Sequence, residues 1–449
     1  MKILHTADWH IGNFSGPVDK DGQNLRAVDT GMCLNQLHDI ALLRQPDMIL
    51  VSGDIFHQAR VWADRGLTEV QTAIRVIEAL GRICPVVVMR GTPNHDGEEQ
   101  FESLRTYFST SKTVQVITRP CVIQVRGVNI ACLPGFDRGV FRAKFPGLSK
   151  EDESRVFTEE ISKIVLGLKA KCDPALKSVL MAHYTVPGCN TKSGQTQFFA
   201  QFEPVLMPET LDAAGWDLVA MGHIHRPQQV ESCHNTFYCG AVNALNFNDE
   251  GQKRGFYIHD LDAGTHTFCE TPARQFLTVR LGSKDIDAYT AEGILPGNPF
   301  VAAKEKIVRV LYTCTEEQHK ALNRAQMERD LYDAFGAFWV AGIEPEQVTI
   351  GTNKDELSEK TDPEKNLVSY LKEKGIPDTA IGEIVEAARP IIAEATAGSR
   401  ASRYSGAFIP ISIEVRNYRN YADEHFDFKD ISFCTINGKN GAGKSSLFM

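Results

Sequence analysis

What most constrains this chain is a set of five short apolar runs that each end in polar residues. They are "MKILHTAD" (1–8), "DMILVSGD" (47–54), "PVVVMRGT" (85–92), "SVLMAHYT" (178–185) and "DLVAMGHIH" (217–225). Between the early runs lie "NLRAVDTGMCLNQLHDIALLRQ" (24–45) and "ADRGLTEVQTAIRVIEALGR" (63–82), whose apolar positions recur every three or four residues, the period of a helix with one buried face. Alternation of this kind predicts an α/β domain: a mainly parallel sheet covered by helices. Residues 113–133 and 228–270 are richer in strand-like runs and predict a second sheet or an antiparallel extension.

The pattern changes near "RQFLTVRLG" (274–282), so the first domain is expected over 1–275. "KIVRVLYT" (306–313), the helix-like "EEQHKALNRAQMERDLYDAF" (316–335) and "QVTI" (347–350) predict a small strand–helix–strand domain over 276–351. In "DPEKNLVSYLKEKG", Asp362 is placed to cap a helix, Pro363 to open it and Gly375 to end it. "DTAIGEIVEAARPIIAEA" (378–395) reads as a second helix, with a kink expected at Pro390. Two short amphipathic helices over 352–396 suit a docking segment better than a core. "AGSRASRYSGAF" (397–408) reads as a linker to a last segment, 409–449.

Composition narrows the function classes. The chain of 449 residues, 43% hydrophobic and 23% charged, has the balance of ordinary globular domains. No run approaches the roughly 20 apolar residues that span a bilayer, and the N-terminus lacks the order of a signal peptide, so a cytoplasmic, nucleoid-associated protein is expected. Eleven cysteines without a CxxC pair suit a reducing compartment. A net charge of −9 argues against coating nucleic acid by charge alone, because non-specific affinity comes from lysine and arginine on phosphates. Contact with DNA is expected to be local, metal-assisted or helped by a partner.

The ends of the apolar runs supply Asp8 and His10 in "ADWH", Asp54 in "SGD", Asn94 and His95 in "PNHD", His183 in "MAHY", and His223 with His225 in "GHIH". In an open α/β sheet, ligands bind beyond the carboxyl ends of the strands, where residues distant in sequence converge. Any one of these side chains alone reads as structural; the order of all of them, each after an apolar run, points to a metal site. Two divalent ions about 4 Å apart polarise a phosphate and activate a water between them. Asp54 is the candidate bridge, with Asp8, His10 and His225 completing one ion and Asn94, His183 and His223 the other. A shell of nitrogen and oxygen without thiolate suits Mn2+, with zinc and iron also compatible. His95 is the candidate acid for the leaving oxygen, oriented by Asp96.

This series resembles the calcineurin-like metallophosphoesterase superfamily, and "HTADWHIG" with "SGDIFH" is similar to its SbcD branch, the nuclease subunit of the SbcCD DNA-repair complex. The resemblance covers residues 1 to about 275; the segment 276–351 resembles the branch's capping domain more weakly. It implies a two-layer β-sandwich flanked by helices, a manganese-dependent DNA nuclease and a homodimer, with a role for His57 in exonuclease action. One departure stands out. The family reads Gly-Asn-His-Asp, whereas "GTPNHD" places Thr92 and Pro93 between Gly91 and Asn94.

A second motif lies at the C-terminal end. "GKNGAGKS" (438–445) fits the phosphate-cradling loop, and the strand-like "ISFCTI" precedes it. Gly438, Asn440, Gly441, Gly443, Lys444, Ser445 and Ser446 are candidate ATP and Mg2+ ligands, Lys444 reaching the outer phosphates and Ser445 the ion. The last 40 or so residues resemble the opening of SbcC, the ATPase partner of SbcD. No methionine stands at the junction, so an SbcC-type ATPase partner, fused in frame or separate, is expected, and without the other elements of an ATP site this stretch is expected not to hydrolyse ATP. The competing readings are a phosphatase or small-nucleotide phosphodiesterase on the same site, and a non-catalytic DNA-tethering scaffold.

Overall fold

The computed structural model describes residues 1–59, 66–191, 204–293, 295, 297–349, 364, 367–368, 371–372, 377–400, 412–418 and 421–427. Contacts divide the chain into two units, Met1–Gly351 and Thr352–Met449.

In the first unit, β1 (Lys2–Thr6), β2 (Met48–Ser52), β3 (Val86–Met89) and β4 (Val114–Ile117) pair in parallel. A hairpin then carries the chain into a second sheet: β5 (Cys121–Val125) and β6 (Val128–Leu133) are joined by Arg126 and Gly127, both in left-handed backbone. Two successive residues of that conformation make the tight turn whose twist matches paired strands. β7 (Ser178–His183), β8 (Leu218–Gly222), β9 (Gln228–Gln229) and β10 (Thr236–Tyr238) complete that sheet in the order β5-β6-β7-β8-β10-β9. β11 (Gly255–Asp260) and β12 (Thr265–Glu270) return to the first, which runs β12-β11-β1-β2-β3-β4.

The two six-stranded sheets face each other, and this explains why their central strands read as unbroken apolar runs. Ile3, Met48, Leu50, Val87 and Met89 point between the sheets, against Val179, Met181, Leu218 and Ala220 of the second sheet. Leu4, Ile49, Val51, Val86 and Val88, one residue out of phase, point to the outer helices α1 (Leu25–Arg44), α2 (Gly66–Gly81) and α3 (Glu98–Tyr107). α1 starts where the Asn24 side chain accepts from the Ala27 N–H at 3.0 Å, and it buries Cys33, Leu34, Leu37 and Ala41 along one stripe. On the other side, α4 (Arg138–Lys144) precedes α5 (Lys150–Ala170) and α6 (Pro208–Ala214), whose Ile161, Val165 and Leu211 cover the second sheet. The architecture is the helix-flanked sandwich. The strand-rich stretches expected to add a second sheet or an antiparallel extension do both: β5 and β6 divert the chain into the second sheet, and β11 pairs antiparallel with β1.

One polar chain runs through the layer between the sheets. His5 Nδ1 lies 3.3 Å from His259 Nε2, and His259 Nδ1 lies 2.8 Å from His266 Nδ1. Phe237 of the second sheet packs on His266 with ring centroids 4.2 Å apart.

Beyond β12, β13 (Phe276–Leu281), β14 (Ile307–Thr315) and β15 (Trp339–Thr349) form a three-stranded parallel sheet of their own with α7 (Ser283–Glu292). The helix expected over 316–335 is two, α8 (Glu316–Ala321) and α9 (Arg324–Asp333). The break falls where Asn323 caps a new helix, its side chain accepting from Gln326 N–H at 3.0 Å. Arg274 ties this part to the sandwich: its guanidinium bonds both Asp29 oxygens at 2.8 Å and lies 3.5 Å over the Phe338 ring.

In the second unit, α10 (Asp378–Arg400) runs through Pro390 and includes the first four residues of the expected linker. The described positions between 364 and 372 are helical. β16 (Ser412–Tyr418) and β17 (Tyr421–Asp427) pair antiparallel. The phosphate-loop residues Gly438 to Ser446 lie outside the described residues. Among the described residues, no helix is long and apolar enough to cross a membrane.

Candidate metal centre

The site forms where β1, β2, β3, β7 and β8 end. After β1 and β2 the chain turns sharply, and the turning residues are the candidate ligands themselves. Asp8, His10, Asp54 and His223 have φ of 50°, 48°, 51° and 91°, four of the nine non-glycine residues in left-handed backbone among the described residues. Each such residue costs on the order of 1–2 kcal/mol, so the surrounding bonds must impose it. They do: Asp8 N–H donates to Gly53 O at 2.9 Å, His10 N–H to Asp54 O at 3.2 Å and Ile11 N–H to Ile55 O at 2.8 Å, lacing the two loops together. His223 N–H donates to both carboxylate oxygens of Asp8, at 3.1 and 3.2 Å. Gly91 is required by contact, because a Cβ there would sit 2.1 Å from Asp54 Oδ1.

Among the described residues, three sets of side chains bring their ligand atoms within 4.8 Å of one another: Asp8, Asp54 and His183; Asp8, His10 and His225; and His10, His57 and His95. His183 Nδ1 bonds the Ser52 carbonyl at 2.7 Å, and a carbonyl only accepts, so this nitrogen carries the proton. Nε2 then faces Asp54 Oδ2 at 3.2 Å and Asp8 Oδ1 at 3.9 Å, with the whole side chain buried. Burial opposes charge on this imidazole, but Asp54 and Asp8 outweigh it and raise its pKa to about 10. The two carboxylates thus create a field that favours a cation. Asp8 itself is raised to about 6, by burial first. Burial also pushes Asp54 upward, yet His183 and His95 hold it well below the usual carboxylate range.

His10 and His225 face each other, Nε2 to Nε2, at 3.1 Å. Burial lowers both, His225 to about 3, so both rings are neutral and able to ligate. Buried imidazole nitrogens gathered about two buried carboxylates fit a pair of divalent cations. Asp8, His10, Asp54, His183 and His225 would hold them.

The remaining candidates are placed as follows. His223 stands beside His183, ring centroids 5.2 Å apart. His95 is held by a 2.6 Å bond from Nδ1 to the His57 carbonyl, with Nε2 3.9 Å from Asp54 Oδ2 and a third of its side chain exposed. Asp96 does not orient His95. Its oxygens accept from Phe56 N–H at 3.1 Å and Gly91 N–H at 2.6 Å, so it splices the loops after β2 and β3; burial and Asp54 raise its pKa to about 7. His57 packs its ring on Phe14, centroids 4.1 Å apart, and stands 6.0 and 6.3 Å from the rings of His10 and His95. Asn94 is exposed; its carbonyl accepts from Ala59 N–H at 2.8 Å and its side chain makes no hydrogen bond to the cluster. The Thr-Pro insertion explains this: the Thr92 carbonyl accepts from His95 N–H at 3.1 Å and Asp96 N–H at 2.8 Å, so 93–96 form one tight turn that faces Asn94 outward.

Two contributors escaped sequence reasoning. Arg254, wholly buried, bonds the His225 carbonyl and pairs with buried Asp249, with only its place before β11 as a sequence signal. Thr92 donates to Asp54 Oδ1 from both its N–H, at 2.7 Å, and its hydroxyl, at 3.1 Å.

A helix-flanked double sheet with this cluster at its strand ends defines a metal-dependent phosphoesterase. Residues 1–227 match the calcineurin-like phosphoesterase family, and the chain belongs to that family. Among solved structures, one crystal structure is 14% identical, covers 60% of this chain and 98% of its own, and superposes with a TM-score of 0.37. A dimetal phosphatase from Danio rerio is 10% identical and covers 57% of this chain and 91% of its own, with a TM-score of 0.33. Likeness this distant carries no argument about substrate.

Proposed function

We propose that this chain is a DNA nuclease that hydrolyses phosphodiester bonds during end processing and double-strand break repair, as a homodimer working with an SbcC-like ATPase. The observation that carries the hydrolytic part is His183, wholly buried with Nε2 set between the carboxylates of Asp54 and Asp8, at 3.2 and 3.9 Å. The choice of DNA rests on the likeness of "HTADWHIG" and "SGDIFH" to the SbcD branch, and the choice of partner on the SbcC-like "GKNGAGKS".

A pair of divalent cations, Mn2+ in this reading, would supply polarisation of the scissile phosphate and activation of water. Asp54 and Asp8 supply the negative charge of the site, and neutral His10 and His225 with Nε2 of His183 would complete the shell. His95 presents Nε2 from a ring fixed at Nδ1, the geometry needed to hand a proton to the departing sugar oxygen. His57, beside both His10 and His95, would position the strand end in exonuclease action.

The test is incubation with Mn2+ and labelled duplex DNA beside a chromogenic phosphomonoester. Cleavage of DNA, abolished by Asp8→Ala and by His95→Gln with DNA binding retained, is the expected result. Cleavage of the monoester alone would replace this reading with a phosphatase. DNA binding with no hydrolysis of either substrate would replace it with a tethering scaffold.

A further inference from the structure

We infer that Thr92, rather than Asn94, is the residue of the "GTPNHD" segment that sets the bridging carboxylate for metal, an inference that rests on the two-ion reading above. Asp54 has two oxygens and two kinds of neighbour. Oδ1 is taken by Thr92, whose N–H and hydroxyl both donate to it, at 2.7 and 3.1 Å. Oδ2 is left to face His183 Nε2 at 3.2 Å and His95 Nε2 at 3.9 Å. A carboxylate on a short side chain rotates readily about its last bond, and two donors on one oxygen fix that rotation. Thr92 therefore decides which oxygen the cluster sees.

The local chain is built to deliver this contact. Gly91 brings the backbone against Asp54 with no room for a Cβ, and Gly135 leaves the same freedom behind it, since a Cβ there would meet Gly91 C at 2.4 Å. Pro93 follows in the first position of a tight turn whose carbonyl acceptor is Thr92, so the threonine is the turn's cap while its hydroxyl points back at Asp54. The same turn leaves Asn94 exposed and without a hydrogen bond to the cluster. Thr92 is a positioning residue: it touches Asp54 rather than the reacting atoms.

The experiment is Mn2+ binding to the full chain, followed by calorimetry and by loss of the free-ion paramagnetic resonance signal, for wild type, Asp8→Ala, Thr92→Val, Thr92→Ser and Asn94→Ala. Removing an outer hydrogen bond to a ligand lowers metal affinity by roughly 10- to 100-fold. Thr92→Val should therefore weaken at least one ion by about 10-fold or more, Thr92→Ser should restore wild-type affinity, and Asn94→Ala should leave it unchanged. Melting in chelator checks that each variant is folded; if Thr92→Val is not, Thr92→Ala is read in its place. Binding that depends on Asp8 but is untouched by Thr92→Val, or lost in Asn94→Ala, would overturn the assignment of Thr92 alone. Equal binding by wild type and Asp8→Ala would overturn the two-ion reading and this inference with it.

Discussion

The histidine chain between the sheets makes stability depend on pH in a direction that can be worked out. His5 is wholly buried, and burial lowers its pKa to about 3 from an ordinary value of 6.5. Above pH 6.5 the ring is neutral both folded and unfolded, and it contributes nothing to the pH dependence. As pH falls below 6.5, the unfolded chain takes up a proton that the native state refuses until about pH 3, so stability falls with pH across that window. At pH 5 the unfolded state is favoured by 1.5 units of this binding, about 2 kcal/mol at roughly 1.4 kcal/mol per unit. The perturbation is His5→Asn, which keeps a polar group facing His259 Nε2 but does not titrate. Urea unfolding in chelator at pH 7 and pH 5 should show wild type losing about 2 kcal/mol more than the variant between the two conditions. Titration of Asp8, Asp96 and the other site residues is common to both proteins and cancels in the comparison. Equal losses for wild type and variant would mean that the His5 ring accepts a proton within the sandwich, and would refute the reasoning.

Gly91→Ala should abolish tight Mn2+ binding and lower stability by about 1–3 kcal/mol, the usual cost of overpacking, because its Cβ would lie 2.1 Å from Asp54 Oδ1; metal titration and thermal melting of the variant decide it, and wild-type affinity would contradict the geometry. Arg254→Met removes the buried cation paired with Asp249, at a cost of about 3–5 kcal/mol in urea unfolding. Pairing it with Asp249→Asn should recover part of that loss.

Much of the site is legible in the sequence because a strand end is a local feature. An apolar run followed by "AD", "SGD" or "GHIH" marks a place where the backbone leaves a sheet and side chains gather, whichever sheet it is. Sheet membership is not local. β3 and β7 have the same apolar character on both faces, and what separates them is the β5–β6 hairpin with its Arg126–Gly127 turn. The role of Asp96 was misread for a related reason: proximity in sequence to His95 suggested a partner, while the fold spends both its oxygens on backbone N–H groups of Phe56 and Gly91. Thr92 and Pro93 could have been read as a capped turn, since threonine before proline is a common helix-start pair, and that reading would have turned Asn94 outward. His259 and Arg254 carry little signal in one dimension, because His5 and the His225 carbonyl, which they meet in the fold, lie 254 and 29 residues away.

The donors of the cluster ride on two different supports. Asp8, His10, Asp54 and His95 follow strands of the first sheet, while His183, His223 and His225 belong to the second, and the sheets meet there through Ser52, whose hydroxyl bonds the Ala220 carbonyl at 3.0 Å. The cluster is therefore a seam, and its width is the spacing of the two sheets. Whatever fills the layer between them, Met48, Leu50, Met181 and Ala220 among others, gauges the distance from Asp54 to His183 as surely as the loops do. A cation gripped from both sides would act as a rivet through the sandwich, so the chemistry of the rim and the closure of the core are one equilibrium.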